Sequence, residues 1–138
     1  MLLRYRPRSR HEAASRLRER GFPAEVVEKT LAWAEENGLL DDRAFAKLWI
    51  ADRLSRKPRG RELLKRELRA KGLAEEIIAE ALAELEVDEL ALARRVLNEH
   101  LAHYRRRPPE VRRRLLLALL RRRGFAPEVA YRVVRELD

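Results

Sequence analysis

Three glycines at near-equal intervals constrain this chain more than any other feature. Gly21, Gly72 and Gly124 stand 51 and 52 residues apart, each behind a basic residue and ahead of an apolar one. Around them, Arg20-Gly21-Phe22-Pro23-Ala24-Glu25-Val26-Val27, Lys71-Gly72-Leu73-Ala74-Glu75-Glu76-Ile77-Ile78 and Arg123-Gly124-Phe125-Ala126-Pro127-Glu128-Val129-Ala130 align. Upstream, Pro7, Pro58 and Pro109 recur at a spacing of 51. A long, fixed period of this kind is the mark of a repeat array. Proline, an amphipathic run, a cation and then glycine describe a helix with both ends marked.

A glycine just past a helix takes the left-handed conformation, and the apolar residue after it folds back onto the last turn. Phe22 with Leu17, Leu73 with Leu68 and Phe125 with Leu120 supply those apolar pairs. Ser9 and Glu12 read as a capping box opening the first helix. Glu25, Glu76 and Glu128 fall in the first turn of the following helices, where the dipole favours a carboxylate. Third helices open on Asp41-Asp42 and Asp88-Glu89 and end before Pro58 and Pro108-Pro109. The pattern predicts an all-α, elongated tandem array of eight helices. Its units are expected at 1–57 (three helices), 58–108 (three helices) and 109–138 (two helices). The expected core includes Leu17, Phe22, Val26, Leu31, Phe45, Trp49, Leu64, Leu68, Ile77, Leu82, Val96 and Leu120. Trp33 and Phe125 also sit at core spacing.

Composition agrees. Ala, Glu, Lys, Leu and Arg make up 93 of the 138 residues, a helix-forming excess, while eight Val, three Ile and one Thr are too few for a sheet. With no Cys, thiolate metal sites and cysteine nucleophiles are excluded. His100 and His103 lie three apart without a supporting set of carboxylates, and no glycine-rich phosphate loop exists. We therefore expect no enzyme, no metal and no cofactor. The longest apolar run, Leu115–Leu120, is six residues, and the N-terminus lacks a signal-peptide core. A cytoplasmic monomer without a membrane contact is the expectation.

Charge is sorted by helix within a formal net of +9. First helices carry +3 (8–20), +4 (59–71) and +6 (112–123); second helices carry −3 (23–37), −5 (73–86) and −1 (126–138). Basic columns recur at fixed distances before each glycine: Arg10, Arg61 and Arg113; Arg18, Arg69 and Arg121; Arg20, Lys71 and Arg123. The last column sits in the closing turn, where a cation is favoured in any helix. Third helices add Arg43 and Lys47 on one face, Arg53, and then Arg94 and Arg95. The candidate partner- or DNA-binding residues are thus Arg10, Arg18, Arg43, Lys47, Arg53, Arg61, Arg69, Arg94, Arg95, Arg113 and Arg121. Basic first and third helices facing away from acidic second helices would give the array one positive side. Tyr5 and Tyr104 stand beside arginine clusters.

The run Gly38-Leu39-Leu40-Asp41-Asp42-Arg43-Ala44-Phe45-Ala46, after a Ser-x-x-Glu helix start and an Arg-Gly-Phe turn, closely resembles the RecX family. Gly60-x-x-x-Leu64-x-x-x-Leu68-x-x-x-Gly72 and Arg122-Arg123-Gly124-Phe125 match that family's pattern too. The resemblance covers almost the whole chain, departing where the last unit has no third helix and where the lead before Ser9 is short. It implies tandem three-helix units and a regulator lying in the groove of the filament that the recombinase RecA forms on single-stranded DNA. There it would block recombinase and coprotease functions in DNA repair, recombination and the SOS response. Direct contact with single-stranded DNA is implied for some members.

The other reading is a nonspecific basic DNA-binding protein of helix–turn–helix type. A sequence reader would place its second helix in the major groove. Here the second helices are the acidic ones, and phosphates would repel them.

Overall fold

In the computed structural model, residues 8–85 and 88–137 are described. They form eight helices: α1 (Arg10–Glu19), α2 (Ala24–Glu36), α3 (Asp42–Arg56), α4 (Arg61–Ala70), α5 (Glu75–Glu84), α6 (Glu89–Tyr104), α7 (Pro109–Arg122) and α8 (Pro127–Arg135). No strand occurs among the described residues. Tyr5 and Pro7 lie outside them.

Local chemistry sets the helix boundaries. Gly21, Gly72 and Gly124 take φ of 87°, 80° and 87°. The amide that follows each donates to the carbonyl five residues back: Phe22 to Leu17 (3.2 Å), Leu73 to Leu68 (3.2 Å) and Phe125 to Leu120 (3.0 Å). These are the expected closures. The capping box also forms: the Ser9 hydroxyl accepts from the Glu12 amide (3.1 Å), and the Glu12 carboxylate accepts from the Ser9 amide (3.3 Å). Asp41 caps α3 through the amides of Arg43 and Ala44, and Asp88 caps α6 through that of Ala91.

Burial groups these helices differently from the proline-to-proline units. One apolar cluster joins α1 and α2 through Ala14, Val27 and Leu31. A second joins α3, α4 and α5, with Phe45, Ile50, Leu64, Leu68, Ile78 and Leu82 at its centre. The third joins α6, α7 and α8 around Val96, Leu97, Leu116, Leu120, Phe125 and Val133. Each third helix therefore packs with the two helices that follow it. The last group has three helices, and the two-helix group is the first. A repeat fixes its period but not its phase; the phase belongs to whichever faces meet.

That shift accounts for three misplaced core residues. Phe22 (46 % exposed), Val26 (42 %) and Trp33 (56 %) are not core. Their counterparts by the glycine spacing are Leu73, Ile77 and Glu84 in the second group and Phe125, Val129 and Glu136 in the third. There, α3 packs against α5 and α6 against α8. Among the described residues no helix covers the matching face of α2. Of the other expected core residues, Leu17, Trp49 and Ile77 are half-buried and the rest are buried.

The groups meet at two joints of one design. The Ser9 hydroxyl donates to the Lys71 carbonyl (2.6 Å), and His11 lies so close to Gly72 that a Cβ there would come within 2.3 Å of it. One repeat on, the Gly60 amide donates to the Arg123 carbonyl (2.7 Å) and the Glu62 amide to that of Gly124 (3.1 Å). A Cβ on Gly60 would stand 2.4 Å from the Gly124 oxygen. The start of α1 thus seats on the α4–α5 turn, and the start of α4 on the α7–α8 turn. The turn at Gly21 has the same backbone but nothing within 4 Å of its added Cβ.

Candidate partner interface

The first-helix arginines divide sharply by what they touch. Arg10 reaches across to α2, with its guanidinium 2.9 Å from Glu28 and 3.2 Å from Glu35. Its backbone amide donates to Asp42 of α3 (2.9 Å). Arg61 repeats the second bond, its amide meeting Glu89 of α6 at 2.8 Å. Arg69 grips Glu75 with Nε and Nη2, at distances down to 2.7 Å. These three residues tie helices together.

Three of the third-helix cations, Arg43, Lys47 and Arg94, face the acidic helices instead of turning away from them. Arg43 pairs with Glu80 (3.0 Å) and Lys47 with Glu84 (2.6 Å), linking α3 to α5. Arg94 holds Glu136 through Nε and Nη2, both at 2.9 Å, linking α6 to α8. Arg95 pairs with Glu99 one turn on (3.3 Å). The expected positive side built from third helices is thus not what the fold makes. Alternating helix charge here is cross-helix pairing that steers α3 onto α5, and each exposed pair adds little to stability.

Arg18 and Arg121 are exposed and have no carboxylate partner among the described residues. Arg113 and Arg121 line a groove of about 550 Å³ between α7 and α8, together with Arg114, Arg122 and the 57 % exposed Tyr131. Glu110 is the carboxylate in its wall. Arg53 lies on a second groove, of about 490 Å³, between α1 and α3, with its guanidinium 4.0 Å from the Trp49 ring centroid. The sequence reading missed Arg8 and Arg16 in this groove. A signal was present: Arg8 and Arg16 correspond to Arg59 and Glu67 one repeat on. Arg59 and Glu67 form a largely buried pair, and Glu67 also accepts from the Trp49 indole N–H (3.1 Å).

At the first joint, burial pushes the Glu12 carboxyl up, but the Lys71 ammonium and the Ser9 amide outweigh it and hold the group below its ordinary value. A depressed carboxyl stabilises the fold above the ordinary range, and that contribution is lost as pH falls through the lowered value. On acidification from about pH 7 to about pH 3, the wild type should lose more thermal stability than Glu12→Gln, and the two melting curves should converge at the acid end. Parallel curves would show that the joint does not depend on this charge.

Among the described residues no group of three or more His, Asp or Glu side chains is placed to hold a metal ion. His100 Nδ1 lies 2.9 Å from the Val96 carbonyl, and His103 meets Tyr104 edge-on. No described helix is long and apolar enough to cross a membrane.

The comparisons with known proteins agree with this architecture. Residues 41–82 match the second three-helix domain of RecX, and residues 1–33 match the first. The first of these spans α3, α4 and α5, the same helices that share the second apolar cluster. The regulatory protein RecX of Thermobifida fusca is 39% identical over 136 residues, covering 98% of this chain and 74% of the relative. That of Streptomyces coelicolor is 37% identical, covering 98% and 72%. A crystal structure of regulatory protein RecX superposes with a TM-score of 0.85 at 25% identity, over 98% of this chain and 66% of that one. The RecX crystal structure from Lactobacillus salivarius gives 0.87 at 19% identity, covering 99% and 90%. With the glycine-spaced repeat, the all-helical fold and the two domain matches in agreement, the chain belongs to the RecX family of regulatory proteins.

Proposed function

We propose that this protein is a non-enzymatic, cytoplasmic regulator that binds the RecA filament on single-stranded DNA as a monomer, lies in its groove, and inhibits recombinase and coprotease activity. The kinship to RecX proteins carries this reading, and the unpaired surface cations support it. Arg18 and Arg121, free of the internal pairs that occupy Arg10, Arg43, Lys47, Arg69 and Arg94, are the candidates best placed for an outside partner. A filament groove presents phosphates and acidic loops, and a cationic surface is drawn to both. The α7–α8 groove, with Tyr131 beside the exposed Arg121, favours direct contact with single-stranded DNA, where bases stack on aromatic rings and phosphates meet cations.

Titrating the protein into an active filament should lower recombinase ATP hydrolysis at near-stoichiometric amounts. Arg18→Glu combined with Arg121→Glu should weaken that inhibition by about tenfold at low salt, with a smaller difference at high salt. A filament indifferent to stoichiometric protein would overturn the reading. Equal inhibition by the double reversal would move the contact elsewhere on the surface.

A further inference from the structure

We infer that the groove between α1 and α3 is a docking site for an acidic peptide segment of a partner protein, one that carries an apolar anchor beside a carboxylate. One repeat differs from the next in the charge at this place. At the second joint, Arg59 is neutralised by Glu67. At the first, the corresponding residues are Arg8 and Arg16, two cations lining one open groove with Arg53, Arg56 and Lys71. Two carboxylates share that wall, and both are engaged: Glu12 by Lys71 (2.8 Å) and Asp52 by Arg56 (3.1 Å). The position that an internal carboxylate fills in the second repeat is left to an external one in the first. Residues 1–7, which lead into Arg8, contain Arg4 and Arg6 and no acid, so they cannot supply it.

The floor specifies the rest of the ligand. Leu48 is 56 % exposed there, beside Phe45 and Trp49. One side of the indole is occupied by Phe45, stacked at 5.9 Å and 21°, and Arg53 lies over the ring at 4.0 Å. With its faces taken, Trp49 has no platform for a nucleobase, which separates this groove from the Tyr131 groove. An aliphatic or aromatic side chain can still rest on Leu48 and the indole edge while its neighbouring carboxylate reaches Arg8 and Arg16. An acidic-apolar peptide fits; a stacked oligonucleotide does not. This inference concerns partner chemistry and does not rest on the filament reading.

The test uses a short fluorescein-labelled peptide with a central Leu-Phe pair flanked by Glu, titrated into the full chain carrying Trp33→Phe so that emission reports Trp49 alone. Binding is expected with a change in Trp49 emission. The Gln analogue of the peptide should bind at least about tenfold more weakly. Arg16→Glu, which supplies the internal carboxylate that the second repeat has, should lose binding while keeping the helical circular dichroism. Arg16→Ala should fall between it and the wild type, and Leu48→Ala should weaken binding without changing its salt dependence. Equal binding of the Gln peptide, or no effect of Arg16→Glu, would overturn the proposal. So would a poly-dT oligonucleotide that competes for the site and perturbs Trp49 as strongly, since the groove would then serve nucleic acid. Loss of filament inhibition with peptide binding intact would sink the filament reading alone.

Discussion

Gly124→Ala should destabilise the protein by about 3 kcal/mol or more, whereas Gly21→Ala should cost only about 1–2 kcal/mol, although both glycines have the same backbone conformation. At φ of 87° either alanine bears the left-handed penalty. Only at Gly124 does the new methyl also run into backbone, with the Leu63 amide nitrogen 2.3 Å away. That nitrogen cannot swing aside as a side-chain tip would; relief requires α4 to lift from the turn, taking with it the bonds from Gly60 and Glu62. Gly72→Val belongs with Gly124, because His11 Cβ and Cγ stand in the way. Denaturant melts of the two alanine variants measure the joint by difference. Equal losses would mean that the joint contributes nothing beyond its glycine.

Glu67→Ala should cost about 3 kcal/mol, the range seen when one member of a largely buried ion pair is removed and its partner is left uncompensated. Side-chain exposure is 12% for Arg59 and 20% for Glu67, so water can do little for the orphaned guanidinium. The Trp49 N–H loses its acceptor in the same step. Arg59→Met combined with Glu67→Met should recover most of the loss, because both charges then leave together. A double variant as unstable as Glu67→Ala alone would show that the pair acts through its hydrogen bonds to the rest of the joint rather than through charge.

Helix boundaries were readable because their causes are local. The positive φ of Gly72, the hydroxyl of Ser9 and the carboxylate of Asp41 act within a few residues of where they stand. Phase was not readable. Phe45 and Ile50 look equally apolar whether α3 folds back on α2 or forward onto α5, and the choice depends on contacts with Leu64 and Leu68 made across the chain. For the same reason Phe22 and Phe125, identical in their local setting, end exposed and buried. The interface was less legible still. A basic column identifies cations but not their partners, so Arg10, Arg69 and Arg121 look alike until Glu28, Glu35 and Glu75 are seen to hold the first two. Reading the columns for charge inversion as well as for repetition brings Arg16 forward, since it stands where the next repeat has Glu67.

The seating of a helix start on a glycine turn also bears on whether the molecule can polymerise. A head-to-tail contact with an open acceptor at one end and a donor at the other extends without limit unless an end is blunted. Gly21 leaves an acceptor turn bare. The matching donor would be the start of α7, where Arg112 stands 52 residues after Gly60, the offset that also relates Gly72 to Gly124. Because α7 already begins at Pro109, that position lies inside the helix, and its amide already donates to the Pro108 carbonyl (2.9 Å). An approach that brings a glycine Cβ to 2.4 Å from a carbonyl oxygen has no room for an arginine side chain. The donor is blunt, so copies of this chain cannot grow into fibres through the contact that holds each copy together.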